Sequence, residues 1–198
     1  MTEATPGLHH FPGSGCHHIW QSNMVYSIHS DGGYLNKANA HSRAGGHHYL
    51  SDNQPFLPNN GAILTVSEII KAVMSSTAEA ELGALYVNAR KRVEIRNILA
   101  ESRHHQPPTP IQTDNSTAES IINSRVQPKR TKAMDMRFHW LRDRSINQNQ
   151  FRFFWRPGHT NLANYWTKHH PTSHHRNMQR EFFTPFQHVL NLRQHAHQ

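Results

Sequence analysis

The chain has 198 residues, 35% of them apolar and 17% charged, with a mean hydropathy of −0.77, which allows one domain with a modest core and ragged ends and is too polar for two. Lys and Arg outnumber Asp and Glu by 21 to 13, giving a formal charge of +8 and an isoelectric point near 10.1, an excess that favours a polyanionic partner, nucleic acid above all. The single cysteine, Cys16, excludes an intrachain disulfide and a zinc knuckle built on cysteine pairs; no apolar run nears the roughly 18 residues of a membrane span, and no basic n-region precedes an apolar stretch, so the expectation is an intracellular chain with neither membrane span nor signal peptide.

Residues 1–21 are rich in Gly, Pro, His and Ser without an apolar period, a composition that predicts disorder. Met24 to Asp31 alternates, with Met24, Tyr26 and Ile28 on one face, as a half-buried strand does. Arg43 to Ser51 and Gly61 to Val66 are the next two strands, the second entered through the turn-rich Ser51 to Asn60. Ser76 and Glu79 then form a capping box opening a long helix to about Ser102, in which Ala78, Leu82, Leu85, Ala89 and Val93 lie on one face. Pro110 to Asp114 is a short buried strand. Ser116 and Glu119 form a second capping box, for a helix to about Ser124. Lys129 to Arg144 is helical with Met134, Phe138 and Leu141 inward. Gln150 to Arg156 alternates through Phe151, Phe153 and Trp155 before the Pro157-Gly158 turn, and a helix from about Asn161 to His169 precedes a loosely patterned, His-rich remainder. The order β-β-β-α-β-α-α-β-α implies an α/β domain over 22–185, a tail over 186–198, and a sheet whose first strands form an antiparallel meander and whose later strands are parallel.

Two aspartates, Asp31 and Asp114, each sit just past an apolar strand, and the carboxyl ends of neighbouring parallel strands converge on one edge of a sheet, where ligands bind. Glu81 lies in the second turn of the long helix and has no capping role, unlike Glu79. Carboxylates brought together repel unless a hard cation such as Mg²⁺ neutralises them. Taken singly, an acid at a strand end is more often a turn former or a helix cap than a ligand.

Five segments, His29–Tyr34 (HSDGGY), Ser75–Leu82 (SSTAEAEL), Thr113–Ala118 (TDNSTA), Arg130–His139 (RTKAMDMRFH) and Asn161–Lys168 (NLANYWTK), closely resemble, in this order, the successive motifs of the RNase H domains of copia-type retrotransposon Pol polyproteins. The resemblance implies an RNase H-like fold, a five-stranded mixed sheet flanked by helices, and hydrolysis of the RNA strand of an RNA/DNA hybrid with two Mg²⁺ ions, for which Mn²⁺ can substitute. It implies that Asp31 bridges both metals and that Glu81 and Asp114 hold the second ion. The family's last aspartate is matched by Asn164, whose amide oxygen can coordinate a metal but brings no charge, so weakened metal binding and impaired turnover are expected; the change is either a tolerated substitution or decay in a transposon remnant that binds nucleic acid without cleaving it. The family's reverse transcriptase lies upstream and is the implied partner. Gly32-Gly33 replaces other small residues and is expected to loosen the first turn.

Lys129, Arg130, Lys132, Arg137, Arg142 and Arg144 cluster in and before one helix with His139 and Trp140 between them. Such a face suits phosphates and sugar or base surfaces, and it is also what a solvated basic helix looks like; the motif at Arg130–His139 favours the nucleic acid, with 2′-hydroxyl contacts to distinguish RNA. Gly45-Gly46 marks either a bulge or a close backbone approach, the bulge being preferred. The doublets among the 19 histidines, including His169-His170 and His174-His175, are expected to be neutral surface residues rather than a zinc site. His159, before the last helix, could shuttle protons to a leaving group.

Overall fold

A computed structural model describes residues 24–36, 38–52, 61–123 and 135–182. The segments 1–21 and 186–198, Met134, Lys129, Arg130 and Lys132 lie outside them. The elements are β1 (Met24–Gly33), β2 (Ser42–Asp52), β3 (Ala62–Ile70), α1 (Thr77–Glu101), β4 (Thr109–Thr113), α2 (Ser116–Ile122), α3 (Asp135–Arg142), β5 (Phe151–Trp155), α4 (Asn164–Thr167) and α5 (Thr172–Phe182). The sheet order is β3-β2-β1-β4-β5, with β1/β2 and β2/β3 antiparallel and β1/β4 and β4/β5 parallel. This is the expected five-stranded mixed sheet.

The core lies where α1, α2 and α3 cover one face of the sheet. Tyr26 and Ile28 from β1, Ile111 from β4, and Phe151 and Phe153 from β5 meet Leu82, Leu85 and Ala89 of α1, Ile121 and Ile122 of α2, and Phe138 and Leu141 of α3. Each fully buried Leu or Ile in such a cluster stabilises the fold by about 1.5–3 kcal/mol. The first half of α1 is buried on a second side too, where Ala80 and Ala84 meet Ala44, Ile70 and Met74. The predicted stripe is thus only part of the buried surface. Ser76 caps α1 as expected, its side chain accepting from Glu79 N at 3.2 Å, but Glu79 returns its carboxylate to Ser75 N, one residue earlier than a strict capping box.

Several local expectations are corrected. β1 is buried on both faces from Val25 to Gly32 rather than on one, because the C-terminal elements cover its second side. α2 is capped by Asn115, whose side chain accepts from Ala118 N at 2.9 Å, while Glu119 is drawn to Asn123 instead of completing a box with Ser116. The α-helical part of the Lys129–Arg144 segment that is described starts at Asp135 and passes into a π turn, Asp143–Asn147. The Asn161–His169 helix shrinks to the single turn of α4, since Asn161 spends its side chain on Ala163 N and the Ser30 carbonyl. The His-rich remainder instead forms α5, anchored by the buried Phe182.

The glycine pair of β2 is neither a bulge nor open to a ligand. The ladder runs unbroken through Gly45 and Gly46 on both sides, and the irregularity falls at His48/Tyr49. A Cβ on Gly45 would stand 2.6 Å from Thr167 Cγ2 and 2.7 Å from the Ala163 carbonyl, and one on Gly46 would collide with the Asn88 amide. Helices approach from opposite sides at adjacent residues. Asn88 is fully buried and donates to Ser30 Oγ, the Gly45 carbonyl and the Ala84 carbonyl at 2.8–3.0 Å, while its Oδ1 lies 3.0 Å from His48 Nε2. Because that oxygen can only accept, His48 carries its proton on Nε2 and accepts at Nδ1 from Tyr26 OH at 2.6 Å. The His47-His48 doublet is therefore interior, not surface: burial holds His48 down to about 4, and His47 lies against His29, Tyr49 and Phe182.

Asn88→Ala leaves Ser30, the Gly45 carbonyl and His48 short of partners in a dry site, so urea unfolding should show a loss of about 2–4 kcal/mol. Gly46→Ala, which displaces the same amide, should lower stability in the same direction, whereas a change below about 0.5 kcal/mol in both would show that the network contributes nothing net.

Candidate metal centre

The carboxylates are placed by register. β1 and β4 run parallel with Ile28 beside Ile111 and His29 beside Gln112, so the same offset carried forward brings Asp31 level with Asp114. Glu81 comes from the second turn of α1, and Gly32 is what lets α1 descend onto the strand. A Cβ there would lie 2.6 Å from the Ala80 carbonyl carbon and 2.7 Å from Glu81 N. Gly32 is thus a close approach inside β1 rather than a loosened turn. Each of Asp31, Glu81 and Asp114 offers an oxygen within 4.8 Å of the others, and no other group of three or more His, Cys, Asp or Glu among the described residues could share an ion. The His169-to-His175 segment makes no such cluster. The three acids share an open cleft of about 440 Å³ with Gly33, Tyr34, Asn36, Thr77, Asn115 and Lys168.

Asp31 and Glu81 are buried and Asp114 is partly exposed. Burial, then the charges of Asp31 and Asp114, push Glu81 well above the usual carboxylate range, against hydrogen bonds from Gly32 N and from Thr113 Oγ1 at 3.4 Å. Burial likewise raises Asp31; the Thr167 hydroxyl, which donates to Asp31 Oδ2, and the Lys168 charge oppose the rise, while Asp114 adds to it. Such a set suits a hard divalent cation, which takes carboxylate oxygens and cancels their repulsion.

Asn164 stands at the same edge, since a Cβ on Gly158 would meet both Asp114 Oδ2 and Asn164 Nδ2, at 2.7 and 3.6 Å. Its amide is already engaged at both ends. Nδ2 donates to the Gly158 carbonyl at 2.6 Å and Oδ1 accepts from Lys168 Nζ at 2.8 Å. A carbonyl can only accept and an ammonium only donate, so the amide has one orientation. Three carboxylates fit one divalent ion; the oxygen expected to help hold another is on a lysine. His159 is exposed in the 3₁₀ turn Gly158–Thr160, next in sequence to the residue abutting Asp114.

Of the basic candidates that are described, Arg137 lies 5.6 Å from the ring of Tyr86, with Arg90 at 5.8 Å, and Arg142 lies 5.9 Å from Phe138. Trp140 is partly buried against Tyr86 and Phe151, with Arg144 at 5.0 Å from its ring. Part of this row is therefore core packing with cations laid over it. Sequence reasoning missed Lys168, Thr167, Tyr86 and Trp155. Trp155 continues the β5 alternation but is 48% exposed, its indole donating to the Asp114 carbonyl at 3.0 Å. Lys168 closes the fifth motif, and its spacing of four residues from Asn164, one helical turn, was the signal that it could reach that side chain.

The Glu81 environment has a consequence of definite sign. A folded carboxyl held above its unfolded value contributes stability that is fully present below the unfolded range and is lost as pH rises through the folded value. Glu81→Gln, which removes the charge and retains one acceptor oxygen, should therefore raise the melting temperature of the metal-free chain at pH 7.5 by a few degrees, at about 2–4 °C per kcal/mol for a chain of this size, and should abolish the further rise on adding Mg²⁺. Calorimetry with chelator and with excess Mg²⁺ measures both; a destabilised variant that still gains from Mg²⁺ contradicts this electrostatic account.

No protein-family model matches the chain. It is 31% identical over 88 residues to the retrovirus-related Pol polyprotein from transposon TNT 1-94 of Nicotiana tabacum, a stretch covering 44% of this chain and 7% of that polyprotein, so the chain corresponds to a small part of its relative. Among solved structures, the N-terminal RNase H domain of Rv2228c from Mycobacterium tuberculosis, solved as a fusion with maltose-binding protein, superposes with a TM-score of 0.51 at 14% identity, over 73% of this chain and 99% of that one. LC11-RNase H1, isolated from compost by a metagenomic approach, gives 0.51 at 14% identity over 72% and 91%, and its complex with an RNA/DNA hybrid gives 0.50 at 14% over 71% and 92%. These similarities establish the RNase H-like fold. The chain is thus similar over 88 residues to part of a retrotransposon Pol polyprotein, and it has the fold of RNase H domains.

Proposed function

We propose that the chain is an RNase H-type endonuclease domain acting on the RNA strand of RNA/DNA hybrids, with a divalent ion, Mg²⁺ or in its place Mn²⁺, on Asp31, Glu81 and Asp114. The observation that carries the reading is the convergence of these acids, 31 to 114 in the sequence, to within 4.8 Å. A divalent ion bound there supplies a water of lowered pKa and neutralises phosphate charge. The side chains around it do the positioning: Thr167 fixes Asp31, Thr113 fixes Glu81, and the Trp155 indole holds the backbone of Asp114. Arg137, Trp140 and Arg142, with Lys129, Arg130 and Lys132 preceding them in the chain, are the proposed hybrid-binding residues, and an upstream reverse transcriptase of the same polyprotein is the proposed partner. The complex of LC11-RNase H1 with an RNA/DNA hybrid, on the same fold, supports this substrate class.

A second reading, a domain that binds hybrid without cutting it, is favoured by one specific feature. With Asn164 bonded to Gly158 and Lys168, the two-ion arrangement implied by the motif resemblance lacks its last ligand. Turnover is accordingly impaired under the first reading and absent under the second. The test is cleavage of an end-labelled RNA/DNA hybrid with Mg²⁺ or Mn²⁺. The expected result is slow cutting that Asp31→Asn reduces by at least about 10²-fold, and that Asn164→Asp raises about tenfold or more. Tight hybrid binding with no cutting by the parent establishes the second reading, and failure to bind hybrid at all rejects both.

A further inference from the structure

Lys168 has a place in the cleft that neither the proposed acids nor the proposed basic helix requires. It lines the same cavity as Asp31, Glu81 and Asp114 and lies immediately after Thr167, which holds Asp31. Its ammonium is set at 2.8 Å from Asn164 Oδ1, one helical turn back, which holds the end of this exposed side chain at the rim of the carboxylate cleft. Among the described residues the only ion pair joins Lys91 to Glu68, so no carboxylate binds Lys168. The ammonium has three donors. One is used on Asn164, and among the described residues no second protein acceptor is in place.

We infer that the cleft is a mixed-cation centre: the three carboxylates hold one divalent ion, and the Lys168 ammonium, steadied by Asn164, receives a non-bridging oxygen of the substrate phosphate. The inference rests on the proposed reading of the site as a phosphodiester centre. Charge supports it. Three carboxylates carry three negative charges, and one divalent ion with one ammonium carries three positive ones, so the centre is neutral before substrate enters. A second divalent ion would have to sit beside a fixed ammonium, with an amide nitrogen facing Gly158 and no fourth carboxylate. Lysine is suited to the task as a compact charge able to hydrogen-bond phosphate oxygen at any of its donors. Asn164 is then a positioning residue acting through Lys168, and the change from acid to amide leaves the ammonium its full charge.

The test is Mn²⁺ titration of the full chain, with and without a short hybrid whose RNA strand is 2′-O-methylated to resist cleavage, following free Mn²⁺ by electron paramagnetic resonance. The parent should take one ion per chain in both conditions, and the double variant Asn164→Asp, Lys168→Met should take two with hybrid bound. Lys168→Met alone should weaken hybrid binding about tenfold, the loss of one charge-assisted hydrogen bond, with an unchanged melting temperature, and Lys168→Arg should recover most of it. Two ions on the parent–hybrid complex overturn the inference, as does undiminished hybrid affinity in Lys168→Met. Failure of the parent to bind the hybrid instead overturns the substrate reading beneath it, so the two failures are distinguishable.

Discussion

Everything at the carboxylate edge depends on holding like charges together with two of the three acids buried. Asp31 and Glu81 are buried and Asp114 is beside them; Asp114 raises the cost of ionising Asp31, and both aspartates raise that of Glu81. Burying an unpaired charge costs several kcal/mol even after relaxation, so the surrounding fold must carry that penalty. It does so with the most tightly fixed pieces of the molecule: the parallel β1/β4 pair that aligns the two aspartates, and the N-terminal half of α1, buried on two sides, that delivers the glutamate. The backbone contact at Gly32 joins these pieces, and there is no room in it for a side chain.

The second face of the sheet serves the same end by different chemistry. Here the cover is polar. Asn161 donates to the Ser30 carbonyl at 2.8 Å, and Leu162 N donates to His29 Nδ1 at 3.1 Å, which leaves the His29 proton on Nε2 toward Tyr49 OH at 2.9 Å. Burial holds His29 down to about 3, so it stays neutral and remains an acceptor for that backbone amide across the physiological range. These bonds seat the turn that carries Thr167 onto Asp31 and Asn164 beside Gly158. A short polar loop is thereby fixed as firmly as a helix would be, at the sites where strand glycines admit its backbone.

How much of this was legible followed from how local each determinant is. Alternation in β1 and β5, the Ser76 cap and the i, i+3, i+4 run of α1 are local, and they gave the sheet and the main helix. The motifs then gave the three acids, because register along a parallel pair converts sequence into position. What could not be read depends on partners distant in the chain. Gly45 and Gly46 look like a bulge until Thr167 and Asn88 are seen on either side of them. Asn115, not Ser116, caps α2 because its side chain reaches Ala118 N. α5 has almost no apolar stripe, and its buried anchor, Phe182, has meaning only against the rings of His47, Tyr165 and Trp166. The interior histidines were misjudged for the same reason: their composition is that of a polar surface, and their partners are tyrosines and an asparagine on other strands and helices.

Asn164 shows why a motif position and a chemical role have to be kept apart. The family pattern places an acid there, and sequence logic could only ask whether an amide oxygen substitutes for it. The side chain answers through its neighbours: a carbonyl on one end and an ammonium on the other leave it a single orientation, in which it is a structural bridge between the 3₁₀ turn and Lys168. An aspartate at the same position could not donate to the Gly158 carbonyl, and would bring a negative charge to a lysine already beside three acids. The substitution therefore does more than subtract one ligand. It trades a charge-paired lysine for one whose charge remains available to the cleft, so the loss at one cation position and the gain at another are the same event.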